Sequence, residues 1–466
     1  MVIAGRDFSR PLQPSVLTCR CLEPMGGKRF FAAGLFLFVL GLPFAARATA
    51  ATIFVDQRNP ACVDSGAGAG QRATPYCTIN AAAQIAVPGE IVQVATGTYK
   101  ETVVPRNSGT PAARIVYRAA PGAAVTLQGS SHGFDIEGLQ WISVRGFTIT
   151  GTSSNGILVR DSAHVRIRHN RVAFSGLPAD GAIAAGIRID DSTDSLIADN
   201  TTHHNTDGGI YLVNGSTRNK VLRNTTFSNA RGYVRAAPGI DVRSPGNVIG
   251  DNIAHDNEDS GIQLYNGAND NVVYDNLTYD NGDHGIDCLN STGAVIVGNS
   301  VYGNTTAGIN LEGATGTTAS RGGRLANNIS VDNGSHNSVG THGDIRVDAN
   351  STPGTAIDRD LVWLSGSGTL IVWGNTSYTS LGTFTAATRQ ETHGLQADPQ
   401  WSDPSARDFH LTAGSPAIDS ADSSAPSEPP FDIEGTARVD DPGTVNSGAG
   451  PRTYDDRGAF EFHASA

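Results

Sequence analysis

Asp259, Asp283, Asp287 and Glu312 recur at close to the spacing of a sequence repeat, and His284 lies between two of them. Carboxylates on neighbouring strands about 4.8 Å apart repel one another unless a cation or a proton compensates. Hard oxygen donors in that arrangement suit calcium. An imidazole in the same turn is either a plain turn residue or a group that moves a proton or meets a substrate. A solvated strand face also carries polar residues, but the concentration of acids on successive repeats singles this window out. Such a set, flanked by arginines, aromatics and amides, is the chemistry of a site for sugars or cations.

These residues need a scaffold that repeats. A Gly-Ile-x-hydrophobic start occurs at Gly156, Gly186, Gly209, Gly261, Gly285 and Gly308, with the variant Gly239-Ile240-Asp241-Val242 between, at intervals of 30, 23, 30, 22, 24 and 23 residues. Asn170, Asn200, Asn224, Asn252, Asn276, Asn299 and Asn328 share one phase, and from Asn200 onward a second asparagine follows five residues later. Between these markers apolar and polar residues alternate, as in GIYLV, GIQLY and NVVYDN, which is strand period. Each interval holds two or three short strands separated by Asn, Asp and Gly turns, so each is one coil of a single-stranded right-handed parallel β-helix. The asparagine ladders read as structural, their amides bonding along the stack. A leucine-rich repeat has a similar period, but its leucine consensus is absent.

Strand alternation turns the residue two after each marker glycine outward. Stacking then aligns Arg188, Tyr211, Asp241, Gln263, Asp287 and Asn310, with Asp190, Val213, Arg243, Tyr265, Leu289 and Glu312 as a second row. Asp207, Asp259 and Asp283 recur two residues before the marker. Arg188, Tyr211, Asp241, Arg243, Gln263, Asn310 and Glu312 are the expected substrate-binding set, and Asp259, Asp283 and Asp287 the expected metal ligands.

The ends have a different character. Lys28-Arg29-Phe30, the apolar stretch after it and Ala46-Arg47-Ala48 read as an export signal over residues 1–50, with Met25 as the expected true start. The apolar run is too short to span a membrane. Residues 51–130 should form an N-terminal cap, with an amphipathic helix over 78–87, and the first coils. Repeats are expected over 131–385, and residues 386–466, rich in Pro, Asp and Ser, as a cap on the last coil. An exported chain permits Cys62 and Cys77 to pair across a Gly-rich loop, worth roughly 3 kcal/mol. Cys288 reads as a small buried hydrophobe. The net charge of −12 and the presence of only three lysines argue against nucleic acid or an anionic membrane as partner. Capped solenoids are usually monomers, and a secreted monomer is expected.

Asp283-His284-Gly285-Ile286-Asp287, with Asp259 twenty-four residues before Asp283, resembles the calcium signature of the right-handed β-helix polysaccharide lyases of family nine. The wider resemblance runs from about residue 52 to the C-terminus, through CTINAAAQIAVPGEIVQVATGTYKE and the closing DDRGAFEF. It implies an extracellular or periplasmic lyase that uses calcium and arginine to neutralise a uronate carboxylate while a base removes the C5 proton. Two departures stand out. His284 replaces an aspartate of the signature, and the family's lysine base has no counterpart after Lys220. His284, Arg321, Arg324 and Tyr265 are the residues that could take its role. A hydrolase, a C5 epimerase or a non-catalytic glycan-binding surface protein would use the same scaffold, and the carboxylates supply raw material for the first of these.

Overall fold

The structure is a computed structural model that describes residues 51–176, 184–230, 237–313, 319–334 and 341–464. The expected export signal lies outside them. All belong to the compact unit Ala50–Ala466. Three sheets of twelve, twelve and eleven strands, parallel except for the terminal strand Thr376–Tyr378 of the third, run along the chain, and within each sheet almost every strand pairs with the one three further along the sequence. One strand per sheet per coil is the signature of a parallel β-helix. In the eleven-stranded third sheet the marker isoleucines stack as Ile187, Ile210, Ile240, Ile262, Ile286, Ile309 and Ile345. They are fully buried, as are Val221, Ile249 and Val273 of the first sheet. The interior is therefore filled by one face of every strand, as the alternation demands.

The corners explain the asparagines. The chain turns from the first sheet to the second through single residues with left-handed backbone, Asp199, Arg223, Asp251 and Asp275 at φ 45–58°. That conformation costs a side-chain-bearing residue roughly 1–2 kcal/mol. The asparagine that follows each turn offsets it. Its Nδ2 donates to the Oδ1 of the next ladder member at 2.8–3.1 Å, from Asn170 to Asn328, and the series ends on Asp360. The second ladder, Asn205 to Asn333, does the same at the next corner and ends on Asp344. At the third corner, which carries no strict sequence marker, Ser192, Ser216 and Ser244 each accept from the backbone N–H of the serine one coil earlier.

At the N-terminal end Cys62 and Cys77 form a disulfide. The cap helix spans Ile79–Ala83, with Thr78 as its N-cap. It is shorter than the expected 78–87: after Ala83 the chain leaves the helix through a turn. Among the described residues no helix is long and apolar enough to cross a membrane. The C-terminal end differs from expectation. The last coil is closed by the strand Thr376–Tyr378 and the helix Leu381–Thr388, whose Leu381 and Phe384 join the interior cluster. The segment from Trp401 onward instead lies along the outward face of the second sheet. That face presents Tyr279, Tyr302 and Val331, which need cover, and Trp401, Phe409, Ile418 and Phe460 supply it. Arg438 of this segment is buried against Asp275 of the solenoid at 3.1 Å.

Candidate functional site

The outward face of the third sheet carries the rows expected from the sequence. Their glycines are there for close approach: a Cβ on Gly285 would stand 2.4 Å from Val301 Cγ1 and 2.8 Å from the ladder amide of Asn304. With that glycine in place the strand packs against the corner, and the two residues before it, Asp283 and His284, stand at the sheet's edge.

Register then builds the site rung by rung. Arg188 pairs with Tyr211, Tyr211 with Asp241, Asp241 with Gln263, Gln263 with Asp287, and Asp287 with Asn310. Asp287 is the centre. Gln263 Nε2 donates to one of its oxygens at 3.0 Å and Asn310 Nδ2 to the other at 2.8 Å. Arg346 donates to Asn310 Oδ1 and to Glu312 Oε2, both at 2.7 Å. Arg243 clasps Asp241 at 2.8 Å and lies over the rings of Tyr265 and Tyr211 at 4.9 and 5.7 Å. Arg188 pairs with Asp190 at 3.0 Å, and Tyr211 donates to Asp207 at 2.6 Å. One oxygen of Asp241 is buried with no hydrogen-bond partner.

His284 is buried 3.0 Å from Asp283 Oδ2, and its Nε2 lies 2.8 Å from Thr341 Oγ1. Burial disfavours its charged form, but Asp287, Asp283 and Glu312 outweigh burial and push the imidazolium up to about 9. Burial also raises the acids. Asp259, with Asp283 and Asp287 adding repulsion, is pushed up to about 7. Asp241 is pushed up to about 6 by burial, against the pull of Arg243. Asp287 is raised by burial, opposed by His284. Asp283 goes the other way: contact with His284, its charge, and the hydroxyl of Thr306 overcome burial and hold it below the ordinary carboxylate range. The neighbouring Asp259 and Asp283 are thus pushed in opposite directions, Asp259 toward its neutral form and Asp283 toward the carboxylate.

This arrangement bears on calcium. Asp259, Asp283 and Asp287 are hard donors of the right type, and His284, 3.0 Å from Asp283, faces them with its charged form favoured. Among the described residues no three His, Cys, Asp or Glu side chains converge on a point that could hold a metal ion. In this arrangement His284 supplies part of the positive charge that the acids call for.

The expected substrate-binding residues Arg188, Tyr211, Asp241, Arg243, Gln263, Asn310 and Glu312 all fall on this face, together with Tyr265, His284, Asp259, Asp283 and Asp287. Arg321 and Arg324 do not. By residue 321 the chain has rounded the corner, and Arg324 opens a strand of the first sheet. Their guanidiniums bond to main-chain carbonyls of Asn350 and Gly354 in the next coil. Arg346, Thr306 and Thr341 belong to the site and escape the sequence pattern. For Arg346 the reason is visible: its coil starts Gly343-Asp344-Ile345, so the marker is broken although Asn310 and Arg346 are register partners.

Such a face defines a class: a solenoid presenting one lengthwise polar face. The sequence matches the family described as the right handed beta helix region at residues 123–297 and 185–382, together more than half of the chain. The chain belongs to that family. Among solved structures it is similar to a complex of XylC with xylose (13% identity, TM-score 0.53, covering 74% of this chain and 82% of the other). It is likewise similar to pectate lyase Pel9A (18% identity, TM-score 0.52, covering 89% and 97%). At these identities the likeness establishes the fold. Comparison with curated proteins gives no match.

Proposed function

We propose that the outward face of the third sheet cleaves glycosidic bonds in a polysaccharide, with Asp259 as proton donor and Asp283 as its ionised partner. The opposite pull on these two carboxyls, Asp259 raised by burial and Asp283 lowered by His284 and Thr306, carries the reading. Two neighbouring acids whose environments push their protonation apart are what acid–base cleavage needs: one protonates the leaving oxygen while another group takes a proton from water or from the sugar. Gln263, Asn310, Arg243 and Tyr265 flank the pair with the amides, guanidinium and ring that hold sugar hydroxyls and faces. The export signal read in the sequence and the Cys62–Cys77 bridge support a place of action outside the reducing cytoplasm.

Charge balance favours hydrolysis. Among the described residues Arg188, Arg243, Arg346 and His284 each already face an anion, so a chain of uronates would find them engaged. Asp241, with one oxygen that has no hydrogen-bond partner among the described residues, is the carboxyl assigned to activate water. Elimination of a uronate polymer, assisted by calcium, is the second reading. It is favoured by the Asp283-His284-Gly285-Ile286-Asp287 order and by the pectate lyase named among the similar folds.

Purified protein is incubated with neutral and uronate polysaccharides, with calcium or with chelator, while reducing ends and the ultraviolet absorbance of unsaturated uronate are followed. New reducing ends without absorbance, lost in Asp259→Asn, support hydrolysis. Calcium-dependent absorbance supports elimination. Neither signal on any polymer, with binding retained, makes the face a glycan-binding surface.

A further inference from the structure

The outward face of the first sheet breaks with the acidity of the chain. Arg118, Arg145 and Arg168 are direct register partners on the consecutive strands Ile115–Ala119, Ile142–Arg145 and Arg166–Arg168. Their neighbours Tyr117, Val144 and Ile167 fill the interior, so the arginines stand outside. Rungs of a sheet lie about 4.8 Å apart, and like charges directly opposite one another destabilise the pairing. Arg166 adds an exposed fourth cation. Arg114 adds a fifth, lowered to about 10 by burial and by the charge of Arg166.

Compensation within the protein is thin. Asp199 accepts from Arg168 at 3.0 Å and is shared with Arg223. Arg118 meets only the neutral amide of Gln93, at 2.8 Å, and its buried Nε has no partner. No ion pair or hydrogen bond of the Arg145 and Arg166 side chains occurs among the described residues. A row of cations at one-rung spacing, on a protein of net charge −12, concentrates positive potential on one face and attracts an external anion.

We propose that this strip docks an acidic polysaccharide, laid along the solenoid axis so that successive carboxylates meet successive rungs. The strip is two outward residues wide, Arg166 and Arg168 on one rung, and is bordered by Asp194 and Asp199. That width fits a thin single chain with one charge per sugar and leaves a duplex nucleic acid facing the flanking acids. The strip and the proposed cleavage site lie on different sheets, so an acidic polymer held here leaves that site open. The commitment to a sugar polymer rests on the glycan reading of that site.

The test is titration of the purified protein with polygalacturonate in chelator, with dextran and a single-stranded oligonucleotide of matched length in parallel, affinity being read by calorimetry. Polygalacturonate should bind, more weakly as salt rises, and dextran should not bind to the strip. Arg145→Ser with Arg166→Ser should weaken binding at least about tenfold, and the Arg→Lys pair should retain most of it. Both residues are exposed, and circular dichroism checks that the fold is unchanged. Equal binding by the double serine variant overturns the proposal, as does an oligonucleotide bound as tightly as the polyuronate. Asp259→Asn should leave this binding intact, so failure of cleavage and failure of docking are read separately.

Discussion

Arg438 and Asp275, 163 residues apart in the chain, meet at 3.1 Å with neither side chain exposed to solvent. The same guanidinium reaches Glu461 at 3.1 Å and Glu428 at 3.4 Å. The C-terminal segment is thus pinned to the flank of the solenoid by one cation among buried acids.

Arg438→Met should therefore be severe. Removing one partner of a buried charge network leaves the others uncompensated, at a cost of about 3–5 kcal/mol. The segment from Trp401 should become the first site of limited proteolysis, and the melting temperature should fall. A variant with the protease resistance and melting of the parent would show that apolar cover alone holds the segment.

The pH dependence of stability has a definite sign at Asp259. Its folded carboxyl titrates near 7 rather than at 3.8, so the fold favours the protonated form. Its contribution is complete below about pH 4 and is lost as pH rises through about 7. Asp259→Asn, which cannot ionise, should hold its stability across that window where the parent declines. Denaturant midpoints at intervals from pH 4 to 8 give the comparison, and parallel curves would place the proton elsewhere.

Interrupting an asparagine ladder should cost more than losing a single bond. Asn252 Oδ1 accepts from both the N–H and the Nδ2 of Asn224, while its own amide donates to Val221 O and Asn276 Oδ1. Asn252→Ala strands several buried polar groups and should destabilise by about 3 kcal/mol. The exposed Asn446→Ala should change stability by less than about 0.5 kcal/mol. Denaturant midpoints of the two variants decide it.

His284→Asp restores the aspartate of the calcium signature and removes the cation that stands in for the metal. This variant should gain calcium-dependent thermal stability, about 2.7 kcal/mol at a calcium concentration one hundred times its Kd, while the parent melts alike in calcium and in chelator. A parent that is itself stabilised by calcium would restore the metal to the site as it stands.

The coil, its register and both outward rows were legible in the sequence because they are set by strictly local rules. A side-chain period of two decides which face Asp241 or Asp287 takes, and a marker glycine with its asparagine decides where each strand begins. Three things needed the folded chain. Arg321 and Arg324 lie within twelve residues of Glu312, but a corner intervenes, and sequence distance does not reveal which sheet a residue has reached. Arg346 enters the site only through register with Asn310, across an interval that the broken marker conceals. The final segment covers the flank rather than the end, since what it packs against, Tyr279 and Tyr302, is decided by which outward side chains remain bare once all coils have stacked. The protonation of Asp259, Asp283 and His284 belongs to the same level: composition assigns the charges, but only burial and neighbours within a few ångströms decide which of them survive.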